Sequence, residues 1–436
     1  TLIVTAAFAD MVSGTFNGFV TDTATGEITK STVNGAAGSI SIMFIAFAVV
    51  FGLIQKKMKF TGWKEVVLGL VCMVACFVLG ISFPIVATRE TWNYVTFAYI
   101  FFAAILPMWL LMQPRDFMTT FMFIFMIAAA AIGLLVAHPT MNLPVYTGFH
   151  NEKLGDMFPI LFVTIACGAV SGFHSLVSSG TASKQIKSEK NMLPVSYGAM
   201  IMESMLAVIA LIAVASFADG EAAAQGLTTQ PQIFAGAIAN FLEVIGLPHS
   251  LVFTLINLAV SAFALTSLDS VARVGRLSFQ EFFIDDDTDM DNLPLYKKVA
   301  TNKYFSTVIT LVLAYLLAKV GYAEIWPLFG SANQLLSVLA LIACAVFLKK
   351  TKRQGAMLWI PMVFMMAVTF TALGMTICKL GGQFMTTGLS FGNTLQLIFA
   401  VLLLILGVIV AIQGIKKLTE KKEAQVDKVE DNTILE

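Results

Sequence analysis

Eleven apolar segments, each followed by a polar or charged connection, leave this chain few folds other than a bundle of membrane-crossing helices. They lie at about 39–54, 63–85, 92–112, 117–137, 158–183, 193–217, 249–272, 303–319, 325–348, 356–378 and 391–415. Most approach the roughly 20 apolar residues that a helix needs to cross a bilayer. Lipid satisfies no backbone polar group, so helices and closed barrels are the only spanning structures. The first segment is short and is predicted to begin near Gly35. Apolar residues make up 58% of the chain and charged ones 12%, about half the charge of a soluble domain. The expected fold is an all-α polytopic membrane protein of about eleven spans plus a partial first one. Residues 1–415 form the transmembrane domain and 416–436 a charged, frayed tail. With zero net charge, nothing points to a nucleic-acid partner; the partners implied are the bilayer and a small solute.

The chain begins at Thr1, and its first apolar run, residues 1–12, is too short to span. The expectation is a chain cut inside a helix, with preceding sequence missing. The connections supply orientation. Taken alternately, they hold 22 of the 27 Lys and Arg on one side and five on the other. Cytoplasmic connections carry the excess of basic residues, so the lysine-rich side and the C-terminus are expected to face the cytoplasm.

Two connections are longer. Residues 218–248 contain a stretch, 231–246, apolar at helical spacing (Ile233, Ile238, Phe241, Leu242, Ile245), which predicts a helix at the interface or capping the bundle. The other holds Asp285, Asp286, Asp287, Asp289 and Asp291. It fails as an EF-hand, because Met290 stands where Gly is required and Tyr296 where the bidentate Glu belongs. It reads as a solvated acidic loop.

Ionisable residues at bilayer depth are costly and are functional candidates by default. The main ones are His174, Glu203 and Asp269. The 158–183 segment is rich in residues that a purely lipid-facing helix does not need. Gly168 and Gly172 form a GxxxG pair, which suits close helix packing or backbone access for a solute. Ser171, Ser175 and Ser178 follow as a polar stripe bordered by His174. Hydroxyls beside an imidazole suit an anionic or zwitterionic solute or a proton relay; the alternative for His174 is a buried ring bonded to a backbone carbonyl. In 249–272, Thr266, Asp269, Ser270 and Arg273 share a face, with Ser267 alongside. These oxygens could hold Na⁺ or a proton, or Asp269 could pair with Arg273 four residues on. Glu203 is a candidate relay, or a partner for His174 or Arg273.

Pro107 disrupts the helix ending near 112, and Pro114 is expected to close it, with Arg115 and Asp116 in a tight inner turn. Such a break exposes carbonyls to a ligand, which makes Pro107 and Gln113 candidate solute contacts; a simple kink with a turn ion pair is the alternative. Asn333 and Gln334 lie inside a span, for interhelical hydrogen bonding or gating. The five cysteines, Cys72, Cys76, Cys167, Cys344 and Cys378, read as small core hydrophobes rather than disulfides or metal ligands. No HExxH, GxSxG, Walker A or dinucleotide fingerprint occurs. An enzyme is not expected, nor is any cofactor beyond H⁺ or Na⁺ as coupling ion. A membrane sensor signalling through the acidic loop is the rival reading.

Four stretches together resemble the carbon starvation protein A family: WLLMQPRD at 109–116, IACGAVSGFHSLVSSGT at 165–181, ALTSLDS at 264–270 with Arg273, and LFGSANQ at 328–334. The resemblance runs to about residue 350. It implies a bacterial inner-membrane transporter of peptides or pyruvate used in nutrient limitation, proton-coupled, and related to the amino acid–polyamine–organocation superfamily with two inverted five-helix repeats (the LeuT-like type). Either 92–112 or 158–183 would then be one of its paired broken helices. Family members begin with further helices carrying a Gly-His-His-Phe motif and a later Asp-Phe, neither present here. From the residues themselves, Ser171, His174 and Ser175 are expected to line the solute site, with Gly168 and Gly172 giving backbone access. Thr266, Ser267, Asp269 and Ser270 are expected to hold the coupling ion, with Glu203 as relay. A chain without the first repeat helix is not expected to transport.

Overall fold

A computed structural model describes residues 1–21, 28–151, 155–218, 220–227, 229–284, 294–319, 321–353, 355–386 and 390–419. The acidic run 285–291 and the tail beyond Thr419 lie outside the described residues.

The short opening run forms α1 (Leu2–Thr15), and it sits at the centre. Val4, Ala6, Ala7, Ala9, Asp10 and Val12 are buried. Its run of alanines lets other helices approach closely. A short antiparallel hairpin, β1 (Phe19–Thr21) with β2 (Ile28–Lys30), leads to α2 (Thr32–Met58), which starts earlier than Gly35 because Ser31 caps it by accepting from the Asn34 N–H at 3.3 Å. Lys59, in the left-handed region at φ 48°, ends it. The next helix, α3 (Trp63–Ser82), pairs with α2 and turns Val67, Val71, Val74 and Val78 outward.

The expected 92–112 span is α4 (Arg89–Ile105), which stops before Pro107. Its inward stripe is Trp92, Thr96, Tyr99 and Ala103, at the three-to-four spacing of a buried face. The turn lies ahead of residue 112, and Pro114 opens α5 (Met112–Ala137) instead of closing α4. In the first turn of a helix the missing proline N–H costs nothing. Arg115 and Asp116 are therefore helical, not turn residues.

After a two-residue ladder, β3 (His150–Asn151) with β4 (Gly155–Asp156), the 158–183 segment is interrupted. A π-type turn (Met157–Leu161), α6 (Phe162–Ile165) and a 3₁₀ turn (Ala166–Gly168) precede a gap, and α7 (Gly172–Gly180) follows. Next come α8 (Met192–Ala215), the single turn α9 (Glu221–Ala224), and α10 (Gln230–Glu243). The last fulfils the helix expected in the 218–248 connection. It is mostly buried, packed on α5 and on the longest helix, α11 (His249–Glu281).

The remaining helices are α12 (Leu295–Ala300), α13 (Lys303–Ala318), α14 (Tyr322–Lys350), α15 (Ala356–Thr386) and α16 (Phe391–Thr419). Lys416 and Lys417 continue α16 rather than fraying. About 50 Å long at 1.5 Å per residue, α11 is the pillar: 61% of its apolar window is buried, against 17% for α8 and for α16. It touches α1, α2, α4, α5, α7, α10 and α13. A second group, α14, α15 and α16, packs on α7 and α1.

Among the described residues nine helices are long and apolar enough to cross a membrane. The two expected spans missing from that set are α4 and α13, with 17 and 16 residues. Both pack on α1 and on each other, so these three short helices adjoin.

Candidate functional site

The interruption between the 3₁₀ turn and α7 is built by local chemistry. Ser171 has extended backbone and caps α7, its hydroxyl accepting the His174 N–H at 3.3 Å. Capping satisfies one of the donors that a helix start leaves free. Asn333 of α14 reaches into the gap. Its Oδ1 accepts from the Phe173 N–H at 2.6 Å and the Ser171 hydroxyl at 3.3 Å. Its Nδ2 lies 3.4 Å from Cys167 Sγ. One amide thus braces both ends of the break. Cys167, expected to be an inert core residue, is a polar neighbour of Ser171 at 3.5 Å.

The two glycines divide the roles foreseen for them. A Cβ on Gly172 would collide with the Asn333 carbonyl and with Leu336 Cβ, so Gly172 is where α7 and α14 touch. A Cβ on Gly168 would meet only Glu203 Oε1, at 3.8 Å, so Gly168 leaves room for that carboxylate. The His174 ring interacts with Cys167 and, electrostatically, with Glu203 of α8. The Ser175 hydroxyl folds back onto the Gly172 carbonyl at 2.6 Å. Phe8 of α1 flanks the break, its ring centroid 6.3 Å from Phe173 and 6.0 Å from Phe329.

Asp269 belongs to a separate, dry node. It pairs with Arg115 of α5 at 2.5 Å, each side chain 1% exposed. The Tyr99 hydroxyl donates to Asp269 Oδ2 at 2.6 Å and accepts from Arg115, while Arg115 also donates to the Ala262 carbonyl at 3.2 Å. Asp269 Oδ1 is buried with no hydrogen-bond partner. The foreseen Asp269–Arg273 pair does not form, because Arg273 is engaged elsewhere. Thr266 and Ser267, on the same helix, bond back to the carbonyls of Ala262 and Phe263 at 3.0 and 3.1 Å, and Ser270 is buried beside Asp269.

The break at Pro107 is handled differently again. The last carbonyls of α4 and the one beyond it all accept from cations. Arg273 takes those of Ala103 and Leu106, at 2.5 and 2.6 Å; Arg276 takes Ala104 at 2.6 Å; Lys303 takes Ile105. Cations at a helix C-terminus complement both its free carbonyls and its dipole. These carbonyls are not free for a solute. Pro107 and Gln113 sit at this lysine-rich end and are not brought together with Ser171 or His174.

Sequence reasoning missed Arg115, Tyr99 and Asp10. The last is buried in α1 and held by Arg89 through two bonds, at 3.0 and 2.7 Å. A charged residue inside a run of small apolar ones was the available signal for Asp10.

Residues 1–231 and 218–372 match the family model described as carbon starvation protein CstA. The chain belongs to this family. It is 30% identical over 358 residues to a peptide transporter CstA of Escherichia coli K12, covering 66% of this chain and 50% of the relative. It is 29% identical over 414 residues to the pyruvate/proton symporter BtsT of the same strain, covering 73% and 56%. A peptide transporter CstA of Mycobacterium tuberculosis H37Rv is 46% identical over 123 residues, 27% of this chain and 16% of the relative. The chain spans about half the length of the first two relatives. With its apolar helices, this membership makes it a multi-pass bacterial membrane protein.

Proposed function

We propose that the protein is a secondary active transporter that imports peptides or pyruvate, coupled to protons, by alternating access. One observation carries the reading: a helix unwound in mid-span at residues 169–171, with His174 and Glu203 beside it. Irregular backbone is tolerated at that depth only where it is buried in protein or lines a wet cavity, the setting in which transporters bind solutes. The relatives' names supply the solute class. A carboxylate, common to pyruvate and to a peptide C-terminus, would meet protonated His174 and the hydroxyls of Ser171 and Ser175. Gly168 keeps room for Glu203, which takes a peptide ammonium or relays a proton. Gly172 holds the site to α14.

The coupling proton is assigned to Asp269, supported by Thr266, Ser267 and Ser270. Neutralising Asp269 would dissolve its ion pair with Arg115 and free α5 from α11. The bundle is assigned to the LeuT-like inverted-repeat type, with 158–183 as a broken repeat helix and the lysine-rich end and C-terminus cytoplasmic. The test is uptake of labelled pyruvate and of a dipeptide into proteoliposomes by the full-length protein. His174→Ala and Asp269→Asn should each abolish uptake driven by an imposed pH gradient. Undiminished uptake in both, or drive by Na⁺ alone, would overturn the site or the ion respectively.

A further inference from the structure

At the end of the bundle opposite the lysine-rich connections, residues 138–149 join α5 to the hairpin of β3 and β4. This connection holds no Asp, Glu, Lys or Arg. It nonetheless turns five large apolar side chains outward: Met141, Leu143, Val145, Tyr146 and Phe149. Val145 is fully exposed and Phe149 is 75% exposed. Exposed apolar surface gathered in one place marks an interaction site.

The connection is pinned at three points. His138, in the left-handed region at φ 43°, turns the chain off α5 while its N–H still donates to the Leu134 carbonyl at 3.2 Å. Asn142 ties the middle to the end of α8. Its N–H donates to the Ala215 carbonyl at 2.7 Å and its Nδ2 to the Ser216 carbonyl at 2.6 Å. At the far end the Phe149 carbonyl accepts from the Met157 N–H at 2.7 Å. Between the last two pins the Tyr146 and Phe149 rings meet edge to face, with centroids 5.7 Å apart. The fold itself therefore holds these side chains out.

The flanks name what they meet. Exposed apolar surface on α5 runs through Leu135 and Val136, directly before His138. On α8 it runs through Leu211 and Val214, directly before the carbonyl that Asn142 grips. Beyond the hairpin Phe158 resumes it. Both helices are long and apolar enough to cross a membrane, so these surfaces face lipid, and a connection fixed to both stays at the bilayer surface. We propose that residues 141–149 lie in the interfacial layer of the leaflet on that side, with Val145 and Phe149 toward the acyl chains and the Tyr146 hydroxyl among the headgroups. Tyrosine suits that boundary, one end apolar and the other wet. Without a charge to bury, the insertion carries little desolvation cost. The anchor also fixes the near end of the broken 157–184 segment.

The test is electron paramagnetic resonance of the full-length protein in phosphatidylcholine nanodiscs. Its cysteines are replaced by alanine, and one nitroxide is attached through Val145→Cys or Phe149→Cys. Collisions with oxygen report hydrocarbon, and collisions with a water-soluble nickel chelate report water. At a depth of roughly 5–10 Å the oxygen-to-nickel ratio should exceed that of a Lys30→Cys label by about threefold or more. It should approach that of a Leu135→Cys label on α5. If the cysteine-free chain fails to fold, a benzophenone side chain in place of Val145 in the native sequence should cross-link to lipid on irradiation. Nickel accessibility equal to that at residue 30 would place the connection in water. Suppression of both collisions, or cross-links to protein alone, would place it against polypeptide. Either result overturns the proposal, and neither depends on whether the protein transports.

Discussion

Two interruptions in this bundle, one at a proline and one in a Gly- and Ser-rich run, are resolved in opposite ways. At Pro107 the exposed carbonyls of residues 103–106 are all taken by Arg273, Arg276 and Lys303. At residues 169–171 the break is braced by one neutral amide, Asn333, and by the Ser171 cap, and it faces a half-buried Glu203 across a glycine. The first is clamped by charge. The second is held by weak, exchangeable contacts, as a segment that must bind and release a solute requires. Cost supports the contrast: hydrogen bonds to charged groups contribute about 1.5–3 kcal/mol each and neutral ones about 0.5–1.5.

The largest effect is expected at the node that joins the clamped side to α11. Arg115→Met leaves the Asp269 carboxylate buried and unpaired, and should destabilise the protein by about 3–5 kcal/mol. Adding Asp269→Leu should restore much of that, since an apolar pair of similar volume is often as good. Reversible unfolding in mixed micelles measures both. Next, Arg273→Met strips the Ala103 and Leu106 carbonyls of their donor and should cost about 1.5–3 kcal/mol; Arg273→Lys, lacking the fork, should recover only part.

Gly172→Ala should cost about 1–3 kcal/mol by overpacking against α14. It separates the packing role of that glycine from any solute role, because Gly168→Ala, with only Glu203 nearby, should leave stability within about 1 kcal/mol of the parent. The smallest stability effect is expected for Ser171→Ala, about 1 kcal/mol for a lost cap. The same variant should nonetheless impair uptake severely. If Arg273→Met proves cheaper than Ser171→Ala, the contrast between the two breaks is wrong.

Local pattern made much of this legible. The apolar segments emerged as helices, the helix inside 218–248 appeared as α10, and the Gly- and Ser-rich run at 165–181 marked the mid-span break. What the pattern could not carry is partnership across the chain. Asp269 chooses Arg115, 154 residues away, over Arg273 four residues away, because Arg273 is drawn to carbonyls that exist only once α4 ends at Pro107. Asn333 meets Ser171 over a separation of 162 residues. Residues 1–12 offered only their length as a cue; their small side chains, buried in the bundle, are what place α1 in the centre.

The central claim is that a solute meets the α7 break while the carbonyls at the Pro107 break stay taken by cations, and Cys167 lies where this can be read. Only a thiol in contact with water ionises and reacts readily with a hydrophilic maleimide. In membrane-embedded protein whose other four cysteines are replaced by alanine, Cys167 should label, and pyruvate or a dipeptide should slow it. A cysteine introduced by Leu106→Cys into an otherwise cysteine-free chain should show no such protection by pyruvate or a dipeptide. An inert Cys167, or protection at residue 106 with none at Cys167, would contradict the account.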